Sequence, residues 1–470
     1  MHKNDEIIGI VSGIGSNSEG IVKIDNFVCF VPYSLIGEKV RFKVLKVNKN
    51  IVYGKLIEVL TPAEARVRPR CAVYEKCGGC QLQHLKYSSQ LKVKSKTVKD
   101  CLYKIAGIDV HVPTAVKRSY EYHYRNKLQL PIRSTDKGNK IGFFINNSHR
   151  IVEIENCPIQ EVDTCKIINV LKQYINEENV SCYNEETGEG LLRHIVIKKV
   201  ETHLIFILVI NGRSLKNADK LIELLSGSYE KFSLFININT VNDNVVLGEE
   251  YVKLYGDDCV YLEEFGIKYP VYPQSFMQVN NGVKYKLYSD VLKSLDLTKN
   301  TTVIDAYSGA GVMTAMFAKE CNKAIGIEIV KEAVDCANIL AIQNKLSDNM
   351  VNYCGDCVEL LPKIIKEEIA LNNDISLVLD PPRKGVDSSI LSTILEVLPK
   401  KIVYVSCSPQ SLARDLGILL GKLYYDGKEL KKCETAKPLY EITKIQPYDM
   451  FPQTKHVETL VCLTRVNHKI

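Results

Sequence analysis

Long apolar runs are missing from this chain. No stretch of about 18 apolar residues occurs, and a helix crossing a bilayer needs about 20. The first residues, MHKNDEIIGI, lack the apolar centre of a secretory signal. No internal repeat and no low-complexity tract is present, which excludes repeat architectures. Net charge is small, +6 from 61 Lys/Arg and 55 Asp/Glu. These absences leave a globular protein with no membrane partner, expected in the cytoplasm and as a monomer. Its 470 residues allow about two to four domains. Composition is ordinary, 46% hydrophobic and 25% charged. Sixteen cysteines are present; in a cytoplasmic chain they are free thiols, metal ligands or a nucleophile before they are disulfides.

Charge is unevenly spread. Between Lys86 and Arg150 fourteen Lys/Arg face four Asp/Glu, so the rest of the chain is slightly acidic. One basic segment in a near-neutral protein is the footprint of a polyanion. A solvated lysine-rich helix accounts for Lys86–Lys104 alone. It does not account for the aromatic-basic run from Tyr120 to Lys127, YEYHYRNK, which suits RNA or DNA.

Residues 6–60 hold short alternating apolar runs separated by turns at Gly13–Gly20 and Ile36–Glu38, the pattern of a small β-barrel. The next stretch, CAVYEKCGGCQLQH over 71–84, places Cys71, Cys77 and Cys80 within ten positions, as a metal clamp does. Residues 87–106 read as one helix, with Leu91, Val98, Leu102 and Ile105 at helical spacing. Strand-like runs over 113–262 suggest an antiparallel sheet with helices. From about 270 strands and helices alternate, the mark of an open, mostly parallel sheet. The expected fold is therefore multidomain: an N-terminal β-barrel over 1–60, an α+β central domain over 61–262 including the helix 87–106, and a C-terminal α/β Rossmann-like domain over 263–470.

In VIDAYSGAGVMT an apolar strand ends at Asp305 and Gly309-x-Gly311 turns into a helix, with Thr314 where a full G-x-G-x-x-G has its third glycine. Glycines admit close approach of a ligand to the backbone. Glu328 ends the next strand, KAIGIE, 23 residues after Asp305, where an acid accepts from two ribose hydroxyls. Asp356 follows a third strand, near the place of an adenine. NAD and S-adenosylmethionine both fit this much. LVLDPPRKG separates them: Asp380 and two prolines form a stiff turn over the pocket. A dehydrogenase does not need it, whereas nucleic-acid methyltransferases commonly have one. In VYVSCSPQ, Cys407 closes an apolar strand at the edge facing the ligand crevice. A thiolate there has a use. Carbon 5 of uracil is too electron-poor to take a methyl group directly, and addition of a thiolate to carbon 6 makes carbon 5 nucleophilic. A base must then remove the carbon 5 proton; Glu458, in HVETLVC, is the candidate.

With these residues the chain resembles the RNA (uracil-5-)-methyltransferases, in particular their iron–sulfur-containing 23S rRNA branch, over nearly its whole length. The resemblance implies that the barrel is a TRAM (OB-like) domain and that Cys71, Cys77, Cys80 and Cys157 hold a [4Fe–4S] cluster; four-cysteine zinc is the alternative. It implies S-adenosylmethionine bound by Gln278 (in Phe276-Met277-Gln278-Val279-Asn280), Tyr307, Gly309, Gly311, Glu328, Asp356 and Asp380. It implies RNA contacts from Phe276, Arg125, Lys127 and Arg383, a nucleophilic Cys407 and a basic Glu458. Val312 departs from relatives that carry Asn or Thr there. An RNA 5-methylcytidine enzyme would have a second cysteine where Arg383 stands, and a radical methylthiotransferase would need C-x3-C-x2-C, which is absent. The implied reaction is methylation of a uridine of 23S rRNA; tRNA as substrate, or a non-catalytic RNA-binding assembly factor, are the rivals.

Overall fold

A computed structural model describes residues 1–371, 374–433 and 438–466. Five strands, β1 (Glu6–Ile14), β2 (Gly20–Ile24), β3 (Phe27–Val31), β4 (Lys39–Asn48) and β5 (Ile51–Thr61), close into a barrel in the order β1-β2-β3-β5-β4. Alternation along these strands turns Val11, Val22, Cys29, Val31, Val40, Phe42, Val44 and Val52 inward, so the sequence period of two fills the barrel with aliphatic side chains. Glu38, fully buried, and Arg66 form an ion pair of 2.5 Å that ties the barrel to the cysteine segment.

Helix α1 spans Tyr87–Ala106 and stops at Gly107, whose left-handed backbone (φ 65°) caps it. The central sheet consists of β6 (Lys127–Thr135), β7 (Gly138–Phe144), β8 (Ile151–Glu153), β9 (Leu192–Val200), β10 (His203–Ile210), β11 (Phe232–Ile238) and β12 (Glu250–Tyr255), in the order β12-β11-β10-β9-β6-β7-β8. All its pairs are antiparallel except β10 with β11. Helices α2 (Thr164–Glu177) and α3 (Ala218–Ser226) cover one face. The other face buries Val196, Ile205 and Ile207 against the hairpin β13 (Val260–Glu264) and β14 (Ile267–Val271).

After α4 (Asn281–Ser294) the chain alternates: β15 (Thr301–Ala306), α5 (Val312–Glu320), β16 (Lys323–Glu328), α6 (Lys331–Gln343), β17 (Met350–Cys354), α7 (Cys357–Ala370), β18 (Asp374–Leu379), α8 (Ser388–Val397), β19 (Lys401–Ser406) and α9 (Pro409–Leu419). A small hairpin, β20 (Leu423–Asp426) and β21 (Glu429–Lys432), precedes the closing strands β22 (Tyr440–Tyr448) and β23 (Glu458–Arg465). The sheet order is β17-β16-β15-β18-β19-β23-β22, parallel through β19, with β23 antiparallel to both neighbours. Helices α4, α5 and α6 pack on one face, and α7, α8 and α9 on the other. Helix α1 joins that second layer: Val98, Leu102 and Ala106 are buried in the same core as Leu412 and Leu416 of α9. Its stripe also carries Lys94, 1% exposed. The lysines of α1 are thus not all solvated.

Candidate active site

Parallel order reverses between β15 and β18, since the chain leaves β15 for β16 on one side and returns to β18 on the other. The crevice beyond the carboxyl ends of those strands is where open α/β sheets bind ligands. Tyr307 follows β15, Glu328 ends β16, Asp380 follows β18 and Cys407 follows β19. Strand β23 runs the opposite way, so its first residue, Glu458, arrives at the same edge. The last pair on the β19 side is Ser406 with Thr459, which places Cys407 and Glu458 as the next rung.

The glycine turn is built for close approach. Tyr307, Gly309 and Gly311 all have positive φ (69°, 56° and 78°), a region that costs a side chain energy and that glycine enters freely. A Cβ at Gly311 would lie 2.7 Å from the Cβ of Ala337 and 3.0 Å from the methyl of Met350, whereas one at Gly309 would meet nothing within 4 Å. The first glycine borders open space and the second packs helix α5 against α6. Glu328 accepts from the Gly309 N–H at 3.0 Å and from the Val330 N–H at 2.9 Å. Asp305 is fully buried; Oδ2 accepts from the Thr314 hydroxyl at 2.7 Å, and Oδ1 has no partner. Thr314 therefore anchors the strand acid. Burial pushes Asp305 up to about 7, with Thr314 opposing and Asp380 and Glu328 adding; burial pushes Asp380 up to about 7. Three carboxyl groups cluster at the carboxyl ends of these strands, one with an orphaned oxygen; the cluster is short of positive charge and suits a cationic cofactor such as a sulfonium bearing an amino group. Asp356 caps α7, accepting from the Val358 N–H at 2.9 Å.

Sequence reasoning missed Tyr288 of α4. Its hydroxyl interacts with the side chain of Gln278, and burial followed by Asp380 and Asp305 raises its pKa. On the sequence it is one more aromatic on an amphipathic helix, with no distinguishing signal. Gln278 is further fixed through its carbonyl, which accepts from the buried Asn126 at 3.0 Å.

At the reacting edge, burial pushes the Cys407 thiol up to about 11; Glu458 and Asp380 add, and Arg383 opposes. Glu458 is 6% exposed. Burial and then Asp380 push it up to about 8, again against Arg383. The thiol and the carboxyl are thus both held protonated near neutrality by the protein's own groups. Arg383 is exposed and its carbonyl accepts from Ser411 at 3.0 Å. His456, two residues before Glu458, is pushed down to about 4 by burial and by Arg383, Lys455, Lys94 and Arg125. Arg383, Lys455 and Arg125 thus bring positive charge toward the acid edge from three separate segments, while Lys94 is buried against Asp449. Phe276, two residues before Gln278, is 82% exposed and free to stack on a base.

The aromatic-basic run divides. Tyr122 and Tyr124 are buried with Tyr74, Cys80 and Ile159, so they are packing residues rather than stacking platforms. Of the three tyrosines Tyr120 alone is exposed, under the Arg118 guanidinium at 3.9 Å. Arg125 donates to the Lys127 carbonyl at 3.1 Å. Lys127 is half-buried and sits opposite Lys198, whose ammonium donates to the carbonyls of Pro273 and Ser275 at 2.5 Å. Lys198 thus clasps the turn that leads into Phe276.

Cys71, Cys77, Cys80 and Cys157 are free thiols. Cys71, Cys80 and Cys157 share one aromatic cluster, and Cys77 bridges to Ile145. Burial pushes Cys80 and Cys157 up to about 12, and each feels the thiols of Cys71 and Cys77. Four thiol donors suit a [4Fe–4S] cluster or a four-cysteine zinc site alike. Among the described residues no group of three or more His, Cys, Asp or Glu is drawn together tightly enough to hold a metal ion, so the four form an open set.

Comparison with known proteins gives the site its context. A family profile described as tRNA (uracil-5-)-methyltransferase matches residues 86–466, and a TRAM domain profile matches 10–57. An RNA methyltransferase of Clostridium acetobutylicum, uncharacterized by name, is 40% identical over 99% of this chain and 98% of its own length. One from Bacillus cereus is 34% identical over 99% and 98%. The crystal structure of Pyrococcus abyssi tRNA (uracil-54, C5)-methyltransferase with S-adenosyl-L-homocysteine has the same fold, with a TM-score of 0.74 at 24% identity, covering 97% of this chain and 100% of that one.

Proposed function

This chain belongs to the tRNA (uracil-5-)-methyltransferase family and carries a TRAM domain, and from that premise we propose that it methylates carbon 5 of a uridine in 23S rRNA, with Cys407 as nucleophile and Glu458 as base. The observation that carries the reading is the convergence of Cys407 and Glu458 at one crevice edge, one step beyond the last pair of β19 and β23, Ser406 with Thr459, where Asp380 and Arg383 act on both.

S-adenosylmethionine, when bound, supplies an electrophilic methyl group. Gln278, Tyr307, Gly309, Gly311, Glu328, Asp356 and Asp380 would hold it. The target base leaves its stack, at a cost of roughly a few kcal/mol, and Phe276, Arg125, Lys127 and Arg383 receive it. Cys407 and Glu458 each lose their proton to solvent water; the thiolate sulfur then adds to carbon 6, and the electron pair of the carbon 5–carbon 6 double bond is freed for carbon 5 to take the methyl group. Once carbon 5 carries the methyl group, the Glu458 carboxylate takes the carbon 5 proton, the carbon–sulfur bond breaks and the double bond re-forms. Both groups start protonated even with Arg383 opposing, so the positive charge brought by the cofactor is what favours their ionisation.

The four cysteines would hold a [4Fe–4S] cluster that staples residues 71–80 to residue 157. Iron and acid-labile sulfide in equal amounts on the purified chain support this; stoichiometric zinc without sulfide overturns it. A second substrate reading is favoured by the Pyrococcus enzyme, which acts on tRNA and spans 97% of this chain: length and a barrel do not separate the two RNAs. The four-cysteine set is what supports rRNA. The test is incubation with S-adenosylmethionine and either unmodified 23S rRNA or tRNA, followed by mass spectrometry of the digested RNA. 5-Methyluridine in rRNA supports the proposal. Its appearance only in tRNA moves the substrate, and its absence from both points to a non-catalytic RNA-binding role.

A further inference from the structure

The loop 449–457, which joins β22 to Glu458, is held from the far side by the cysteine segment. The N–H groups of Gln81 and Leu82, the two residues after Cys80, both donate to the Gln453 carbonyl, at 3.0 and 2.9 Å. Gln81 accepts from the Lys455 N–H at 3.3 Å and donates to the Gly78 carbonyl at 2.8 Å. Gln90 of α1 and Gln453 make a reciprocal pair: the Gln90 amide donates to the Gln453 side chain at 2.9 Å, and its oxygen accepts from the Gln453 N–H at 3.1 Å. Lys94 pairs with Asp449 and donates to the Phe451 carbonyl at 3.0 Å. Tyr124 donates to the Pro452 carbonyl at 3.0 Å. Gln453 is 2% exposed and takes a left-handed backbone, φ 70°, a conformation that a non-glycine residue keeps only when its surroundings impose it.

Glu458 depends on this loop. It is the last rung against β22, opposite Tyr448, and lies one rung beyond the last pair with β19. Its outward neighbours Val457 and His456 belong to the loop, and His456 rests edge-on against Phe451, 5.8 Å between ring centres. We propose that Gln90 and Gln453 are positioning residues for Glu458, so that helix α1, through the loop it holds, governs the proton-removal step. The inference rests on Glu458 being the base. In that step the carboxylate takes the carbon 5 proton, the electron pair left behind forms the carbon 5–carbon 6 double bond, and the bond to sulfur breaks to release Cys407.

A fault confined to this step has a signature that general loosening does not share. Methyl transfer proceeds, and the enzyme stays joined to the RNA through Cys407. The test compares Gln90→Ala and Gln453→Gly with the unmodified chain and with Glu458→Gln, all full length. Each is mixed with S-adenosylmethionine and whichever unmodified RNA, 23S rRNA or tRNA, accepts methyl groups. Denaturing gels measure the adduct, and single-turnover assays measure methyl transfer. The glycine keeps the left-handed backbone while deleting the amide. Both variants are expected to lose about tenfold in kcat, with KM and the first methyl transfer unchanged and the adduct accumulating as in Glu458→Gln. If Glu458→Gln accumulates adduct while the two glutamine variants slow without doing so, the positioning role is overturned alone. If Glu458→Gln turns over normally, the assignment of the base fails and the proposal fails with it.

Discussion

At the scale of the residue, two carboxyls and a thiol share one edge: both carboxyls raise the thiol, and Asp380 raises Glu458. Glu458→Gln removes a negative neighbour from Cys407. The thiol, held up to about 11 by burial and by Glu458 and Asp380, should then titrate at lower pH. Alkylation of the Cys407 peptide, followed by mass spectrometry across pH, checks this; an unchanged midpoint contradicts it. Cys407→Ala should abolish both methylation and adduct while leaving cofactor binding intact. The same carboxyl has a stability consequence. Its folded-state pKa of about 8 lies above the ordinary value of 4.5. Between those values the unfolded chain has released the proton and the folded chain keeps it. Stability therefore falls as pH rises through that window and levels off above about 8, by an amount on the order of a few kcal/mol. In the cofactor-free protein, Glu458→Gln should flatten this decline, measured as the thermal midpoint at pH 5 and pH 8.

At the scale of the element, the two glycines of the loop after β15 answer differently to a methyl group. Gly311→Ala meets both positive φ and the Ala337 contact and should cost about 2–4 kcal/mol. Gly309→Ala meets only the φ penalty and should cost about 1 kcal/mol. Urea unfolding and calorimetric titration with S-adenosylhomocysteine separate loss of stability from loss of cofactor affinity. Elements such as these were legible in the sequence. The spacing of Leu91, Val98 and Leu102 marks α1, and the apolar runs ending in Asp305, Glu328 and Asp380 mark β15, β16 and the turn after β18, because local periodicity and local chemistry coincide there. What was not legible depends on pairs far apart in the chain. The lysines of α1 read as a polar face, yet Lys94 is buried by Asp449, 355 positions away. The tyrosines at 122 and 124 read as RNA platforms, yet they pack around Cys80. Tyr288 and Lys198 carry no local mark at all; the first matters through Gln278 and the second through the turn before Phe276.

At the scale of the whole molecule, the early and late parts of the chain are interlocked. Helix α1 completes the core over α9, and Lys94 and Tyr87 both bind Asp449. Lys94→Met leaves Asp449 buried without its cation and should cost about 3–5 kcal/mol, read as a lower urea midpoint. A fragment beginning at residue 263 would expose Leu412, Leu416 and Leu419 where α1 belongs and should aggregate on expression. One beginning at residue 86 keeps that layer and should bind S-adenosylhomocysteine. The same interlock sets a timetable. Roughly 300 residues separate the end of α1 from the start of α9, and at about 5–20 residues per second the ribosome needs about 15–60 s to make them. For that interval Val98, Leu102 and Ala106 have no helix to lie against. The nascent chain must carry an uncovered apolar stripe until about its last eighth is made, and chaperone demand during synthesis is thereby written into the topology of the finished enzyme.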